Sequence, residues 1–178
     1  MKIKIFGNKK IKIRAFSAKD LKTPKKFQEF INSLIEEEAP IILNKKVSIR
    51  EEGKWLRNNL REIENQKSVY LIAEDKDTVV GIASIRLGRG RESHVGNFSI
   101  SIKRNYRGMG LGSYLMKEVI KMTKRKLKPK ILRLEVFPIN KPAISLYKKF
   151  GFKRVAKIPK QIQYKGKLID SIVMIRQI

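Results

Sequence analysis

Apolar and polar residues trade places along this chain in distinct rhythms. At its start, Ile3 and Ile5 alternate with lysines, and Ile11 and Ile13 alternate with Lys12 and Arg14. A period of two is that of a strand with one wet face. Gly7-Asn8 between the two runs is a hairpin-turn signal, so residues 2–6 and 10–16 are predicted to pair. The rhythm then lengthens. Phe27, Phe30, Ile31, Leu34 and Ile35 recur three and four residues apart, which predicts a helix over 24–38 opening on Pro24. Trp55, Leu56, Leu60 and Ile63 predict a second helix over 48–65, and Ser48 followed by Glu51 resembles a capping box. Residues 69–73, 79–87 and about 94–102 return to strand character, separated by Asp75-Lys76-Asp77 and Gly88-Arg89-Gly90. They read as an antiparallel meander.

A glycine-rich loop over 107–112 breaks this pattern. Leu111, Leu115, Val119 and Met122 then mark a helix running to about Arg125, with cations crowding its end. Residues 131–136 form an apolar strand. Asn140 and Pro142 open a short helix that Gly151 closes. Two strands, about 152–158 and 168–176, finish the order around Lys165-Gly166. The predicted fold is mixed α/β (α+β). It is one domain over 1–178, with a central, mostly antiparallel mixed sheet of about seven strands flanked by about four helices.

Composition narrows the chemistry. The chain has 178 residues, 42% of them hydrophobic, which suffices for a real core. It has no cysteine and one histidine, so disulfides, thiolate metal sites and a cysteine nucleophile are excluded and no metal site is expected. No apolar run reaches transmembrane length, and Lys2-Ile3-Lys4-Ile5 does not resemble a signal peptide; the expectation is a cytoplasmic protein without membrane contact. The net charge is +26. One reading is attraction to a polyanion such as nucleic acid or the ribosome. The other is a lysine-rich solvated surface. The spread of basic residues from Lys2 to Arg176, without interleaved aromatics, favours the second.

The informative stretch is Arg107-Gly108-Met109-Gly110-Leu111-Gly112 between a strand and a helix. Glycines let backbone approach a phosphate, and free N–H groups at a helix start attract an anion. A P-loop would need Gly-Lys-Ser/Thr, but Ser113 follows Gly112 directly. A dinucleotide fingerprint would need GxGxxG in a doubly wound sheet, and the glycine spacing and the number of βα units disagree. A tight glycine-rich turn remains the plain alternative.

Arg107-x-x-Gly110-x-Gly112 resembles the R/Q-x-x-G-x-G/A signature of the GNAT superfamily of N-acetyltransferases. Asn140-x-x-Ala143-x-x-Leu146-Tyr147-x-x-x-Gly151-Phe152 is similar to that family's second signature. The tail, with Tyr164, Gly166, Asp170 and Met174, resembles the branch holding ribosomal-protein N-terminal acetyltransferases. The resemblance covers roughly 68–176 well and the first 67 residues loosely.

It implies an acetyl-CoA-dependent enzyme in which an amine attacks the thioester directly. The loop amides from Arg107 through Gly108, Met109, Gly110, Leu111 and Gly112 to Ser113 would hold the pyrophosphate of acetyl-CoA, and Ile100, Ser101 and Ile102 would pair with its pantetheine arm. Asn140 would contact that arm, besides capping its helix. Tyr147 would be the general acid for the leaving sulfur. A backbone N–H near Ile100 to Ile102 would hold the oxyanion. Related enzymes often carry a glutamate eight or five residues before the last apolar residue of the strand. Those positions here hold His94 and Asn97. Asn97 cannot be a base; His94, Glu92 or a water chain stays open. Glu36-Glu37-Glu38 is either a draw for a cationic amine or a solvated helix end. The acceptor expected is a peptide or protein N-terminus. The alternatives are a small amine (polyamine, amino acid or antibiotic) and a non-catalytic basic protein associated with nucleic acid or the ribosome. Monomer and homodimer are both compatible with the sequence.

Overall fold

The computed structural model describes residues 1–178. In chain order the elements are β1 (Lys2–Phe6), β2 (Lys9–Ala15), α1 (Pro24–Glu36), α2 (Ile49–Glu64), β3 (Ser68–Asp75), β4 (Thr78–Leu87), β5 (Val95–Ile102), α3 (Leu111–Lys126), β6 (Ile131–Val136), α4 (Lys141–Lys149), β7 (Lys153–Tyr164) and β8 (Lys167–Gln177). All eight strands join one sheet in the order β1-β2-β3-β4-β5-β6-β8-β7. The expected mixed, mostly antiparallel sheet with four helices is present, with eight strands rather than about seven. Only β5 and β6 run parallel.

Local chemistry explains the boundaries. Gly7 takes φ +58° in the first hairpin. Ser48 and Glu51 close the capping box of α2, with the Glu51 carboxylate accepting from Ser48 N at 2.7 Å. α1 stops at Glu36, before the predicted end, and Glu38 then turns into the left-handed region at φ +51°. β7 runs six residues beyond its predicted end. Its paired register with β8 shifts between Ile158 and Ile162, past Pro159, and continues to the Lys165-Gly166 turn. An edge strand tolerates such a proline and such irregularity, and both hid the strand's true length.

Two cores lie on opposite faces of the sheet. α3 packs on one face, where Leu111, Leu115, Met116 and Val119 meet Val69, Leu71, Ala83, Ile85 and Phe98. α1 and α2 cover the other, with Phe27, Phe30, Leu34 and Leu56 against Tyr70, Ile72 and Val79. Arg14 ties the first strands together, bridging Asp20 at 2.7 Å and Glu74 at 2.6 Å.

Candidate active site

The sheet opens in its middle. β6 pairs with β5 only from Val95↔Ile131 to Asn97↔Arg133, after which the two strands part. Gly96 permits the close start: a Cβ there would stand 2.8 Å from Ile85 Cγ2 and 2.9 Å from Leu132 Cδ2. Lys103 N donates to Val80 O, and Gly88 N donates to Val95 O. Odd-numbered residues of β5 therefore spend their backbone groups on β4, and even-numbered ones turn theirs toward β6. The Ile102 carbonyl accepts from Arg107 Nε at 2.8 Å. The amide and carbonyl of Ile100 face the gap.

That gap is a cavity of about 450 Å³, walled by residues 97–101 of β5, 133–136 of β6 and Phe137 after it, with Asn140 at the start of α4 and Tyr147 within it. Asn140 caps α4 by accepting from Ala143 N at 3.3 Å. Tyr147 is buried, its ring edge-on to Phe98 with centroids 5.9 Å apart. Its hydroxyl has no protein partner and is not fully enclosed, so it reaches the cavity. Burial pushes the phenol up to about 12, which keeps it protonated at neutral pH.

The glycine-rich loop lies beyond the end of β5. Gly108 and Gly110 take φ +75° and +90°, with nothing within 4 Å of where a Cβ would project. Gly110 N-caps α3, and the first helical hydrogen bond is donated by Tyr114 N to Gly110 O. The amides from Gly108 to Ser113 therefore have no acceptor in the protein. A helix mouth of this kind, open and positively polarised, suits a pyrophosphate.

Other expected site residues are placed differently. His94 is exposed in the turn before β5, where its carbonyl accepts from Lys130 N and Ile131 N. It lies at the closed end of the β5–β6 pair, six residues before Ile100, so its imidazole is not brought to the cavity. Glu92 is exposed in the 90–92 turn. Ser101 does wall the cavity, but the alternation aims its backbone at β4, leaving Ile100 and Ile102 on the gap edge. Glu36-Glu37-Glu38 is not a free acidic patch. Glu36 pairs with Lys46, Glu37 with Arg104 and Arg107, and Glu38 with Lys165. The Glu37 and Glu38 pairs fasten the end of α1 to the glycine-rich loop and to the β7–β8 tip.

One carboxylate escaped the sequence reading. Glu52 of α2 is only 7% exposed and lines a second hollow beside the gap. Its signal was its position. Glu52, Leu56, Asn59 and Ile63 recur at helical spacing on the inward stripe, where a glutamate is out of place.

A model of the acetyltransferase (GNAT) family matches residues 29–152. The chain is 36% identical over 107 residues to an L-amino acid N-acetyltransferase, AaaT, of Escherichia coli, a match covering 60% of this chain and 66% of that protein. It is 31% identical over 107 residues to an N-alpha-acetyltransferase of Sulfurisphaera tokodaii, covering 54% of this chain and 63% of that protein. The chain thus spans just under two thirds of either relative. A crystal structure of an acetyltransferase of the GNAT family from Streptococcus pneumoniae superposes with a TM-score of 0.82 at 24% identity, covering 94% of this chain and 99% of that one.

Proposed function

Given that the chain belongs to the acetyltransferase (GNAT) family, we propose that it is an acetyl-CoA-dependent N-acetyltransferase acting on an α-amine, with a peptide or protein N-terminus as the acceptor. The observation that carries this reading is the opening between β5 and β6, walled by an inward phenol, on a strand whose end leads into a loop of unpaired amides.

The residues fit the cosubstrate. The amides of Gly108 to Ser113 are free to hold its pyrophosphate. The gap edge at Ile100 offers backbone groups to its amide arm, and Asn140 stands on the opposite wall. Acetyl-CoA supplies the activated acyl carbon. The protein orients that carbon through the β5 edge. The Ile100 amide donates to the carbonyl oxygen as it gains charge, an interaction worth roughly 3 kcal/mol in comparable sites. Tyr147, held protonated, delivers its proton to the departing sulfur.

The acceptor reading draws on the relatives and on charge. One relative is named for N-acetyl transfer to L-amino acids and the other as an N-alpha-acetyltransferase. At neutral pH, freeing an α-amine of its proton costs about 1 kcal/mol, against roughly 4–5 kcal/mol for a lysine amine. The +26 charge disfavours polyamines and favours an acceptor with acidic surroundings. A free amino acid is the second reading, favoured by the name of the E. coli relative.

The test is release of free CoA against a panel of peptides, amino acids and polyamines, beside calorimetric titration with CoA. The expected result is binding of CoA, with release driven by α-amines. No heat from CoA, or no release with any amine, overturns the reading.

A further inference from the structure

Beside the gap, the face of the sheet under α1 and α2 holds a hollow of about 570 Å³. Phe27, Phe30 and Ile31 of α1 and Trp55 of α2 wall it. Ser99 and Ser101 of β5 line both this hollow and the gap, so the two spaces meet across β5. Glu52 is the anomaly. It is more than nine-tenths buried, with no hydrogen-bond or ion-pair partner, and burial alone pushes its carboxyl up to about 7. Its oxygens are not fully enclosed and so reach the hollow.

The other titratable groups facing the hollow do not neutralise it. Glu51 is turned to Ser48 at the start of α2. Arg86 of β4 donates to Asn59 at 2.6 Å and to the Tyr70 hydroxyl at 3.1 Å. That hydroxyl in turn donates to Asn59 at 2.8 Å. α1 and β5 bring no charged group to the hollow. An uncompensated buried carboxylate is costly unless a cation arrives from outside.

We infer that this hollow is the acceptor subsite, and that Glu52 pairs there with the acceptor's ammonium and takes its proton, selecting an α-amine that stands beside an apolar side chain. The inference rests on the acetyl-transfer reading and supplies the base that neither His94 nor Asn97 provides. One carboxylate among aromatic walls matches one ammonium. A polyamine would leave its further charges against Phe27, Phe30 and Trp55. An α-amine also titrates within about one unit of this carboxyl, a lysine amine more than three units above it.

The proton count closes. Glu52 removes one proton from the ammonium. The freed nitrogen bonds to the acetyl carbonyl carbon as the carbon–sulfur bond breaks. Tyr147 gives its proton to the sulfur and recovers one from the nitrogen as the amide forms. The products are the acetamide, the thiol and one proton held by Glu52, which passes to water.

Trp55 is the only tryptophan of the chain and lines the hollow with Glu52, so its fluorescence reads the site without turnover. In the wild-type protein alone, a fluorescence transition with a midpoint near 7 is expected, and Glu52→Gln abolishes it. Leucine amide perturbs Trp55 in the wild type and not in Glu52→Gln; uncharged N-acetyl-leucine amide perturbs neither. Glu52→Gln should bind acetyl-CoA as the wild type does, while kcat/KM for leucine amide falls on the order of 100-fold. If wild type acetylates leucine amide and Glu52→Gln matches it in rate and fluorescence, this inference fails and the transferase reading stands. If Trp55 senses leucine amide through Glu52 but no amine releases CoA, the transferase reading fails and the ammonium site stands.

Discussion

At the scale of single residues, roles divide by what each side chain is left to do. Tyr147 has its ring packed and its hydroxyl free in the cavity. Replacing it with Phe should lower kcat by about 100-fold and leave acetyl-CoA affinity nearly unchanged, as read by steady-state kinetics and calorimetry. Gly110 should behave in the opposite way. Its φ of +90° is strained for any other residue, so Gly110→Val should cost acetyl-CoA affinity itself in the same calorimetry. Glu52 links the site to stability. A carboxyl raised by burial binds its proton more tightly in the folded state. Its contribution is therefore full below the ordinary carboxylate range and lost as pH rises through about 7. Glu52→Gln should gain little at pH 5 and up to about 3 kcal/mol at pH 8, measured by thermal unfolding at both. The place of Tyr147 in the cavity wall was legible because the second signature motif singled it out. Glu52 showed in the sequence only as a glutamate on an inward stripe; that it lacks a partner is decided by packing alone.

Among the elements, the opening of β5 from β6 matters most. Hydrophobic period places both strands but is silent on which neighbour each one takes. The parallel pairing of β5 with β6, antiparallel pairing of β6 with β8, and β7 at the edge are facts of tertiary register. The same holds for the acidic end of α1. From sequence it reads as a lure for amines or a wet helix end; in the fold, Glu37 accepts from Arg107 and from the Arg104 amide. Arg107 in turn holds the Ile102 carbonyl, so the end of α1, the end of β5 and the glycine-rich loop form one unit. Glu37→Ala should loosen the loop and weaken acetyl-CoA binding roughly five-fold, a loss of about 1 kcal/mol for a pair exposed to solvent on its arginine side. Calorimetry measures it, and the thermal midpoint should move little.

Across the whole molecule, charge and shape pull together. Forty-two basic residues against sixteen acidic ones surround a site whose own nearby carboxylates are mostly paired. A peptide acceptor with acidic residues after its first few positions should be drawn in at long range. Its kcat/KM should fall as salt is raised past physiological ionic strength, where screening acts over about 8 Å. A matched peptide with basic residues should be the poorer acceptor at low salt and should approach it at high salt. Parallel kinetics on the two peptides read this directly. No helix of the protein is long and apolar enough to cross a membrane.

Local order determined most of the elements: the hairpin at Gly7, the capping box of α2, the Asn140 cap, the left-handed Gly151 and the loop before α3. Each depends on residues within a few positions of one another, where period, capping and turn chemistry operate. The tertiary structure alone decided the parting of β5 from β6, the exclusion of His94, the fastening of Glu37 to Arg107 and the isolation of Glu52. Those outcomes join residues tens of positions apart, and contact between distant segments leaves no periodic trace in the chain that makes it.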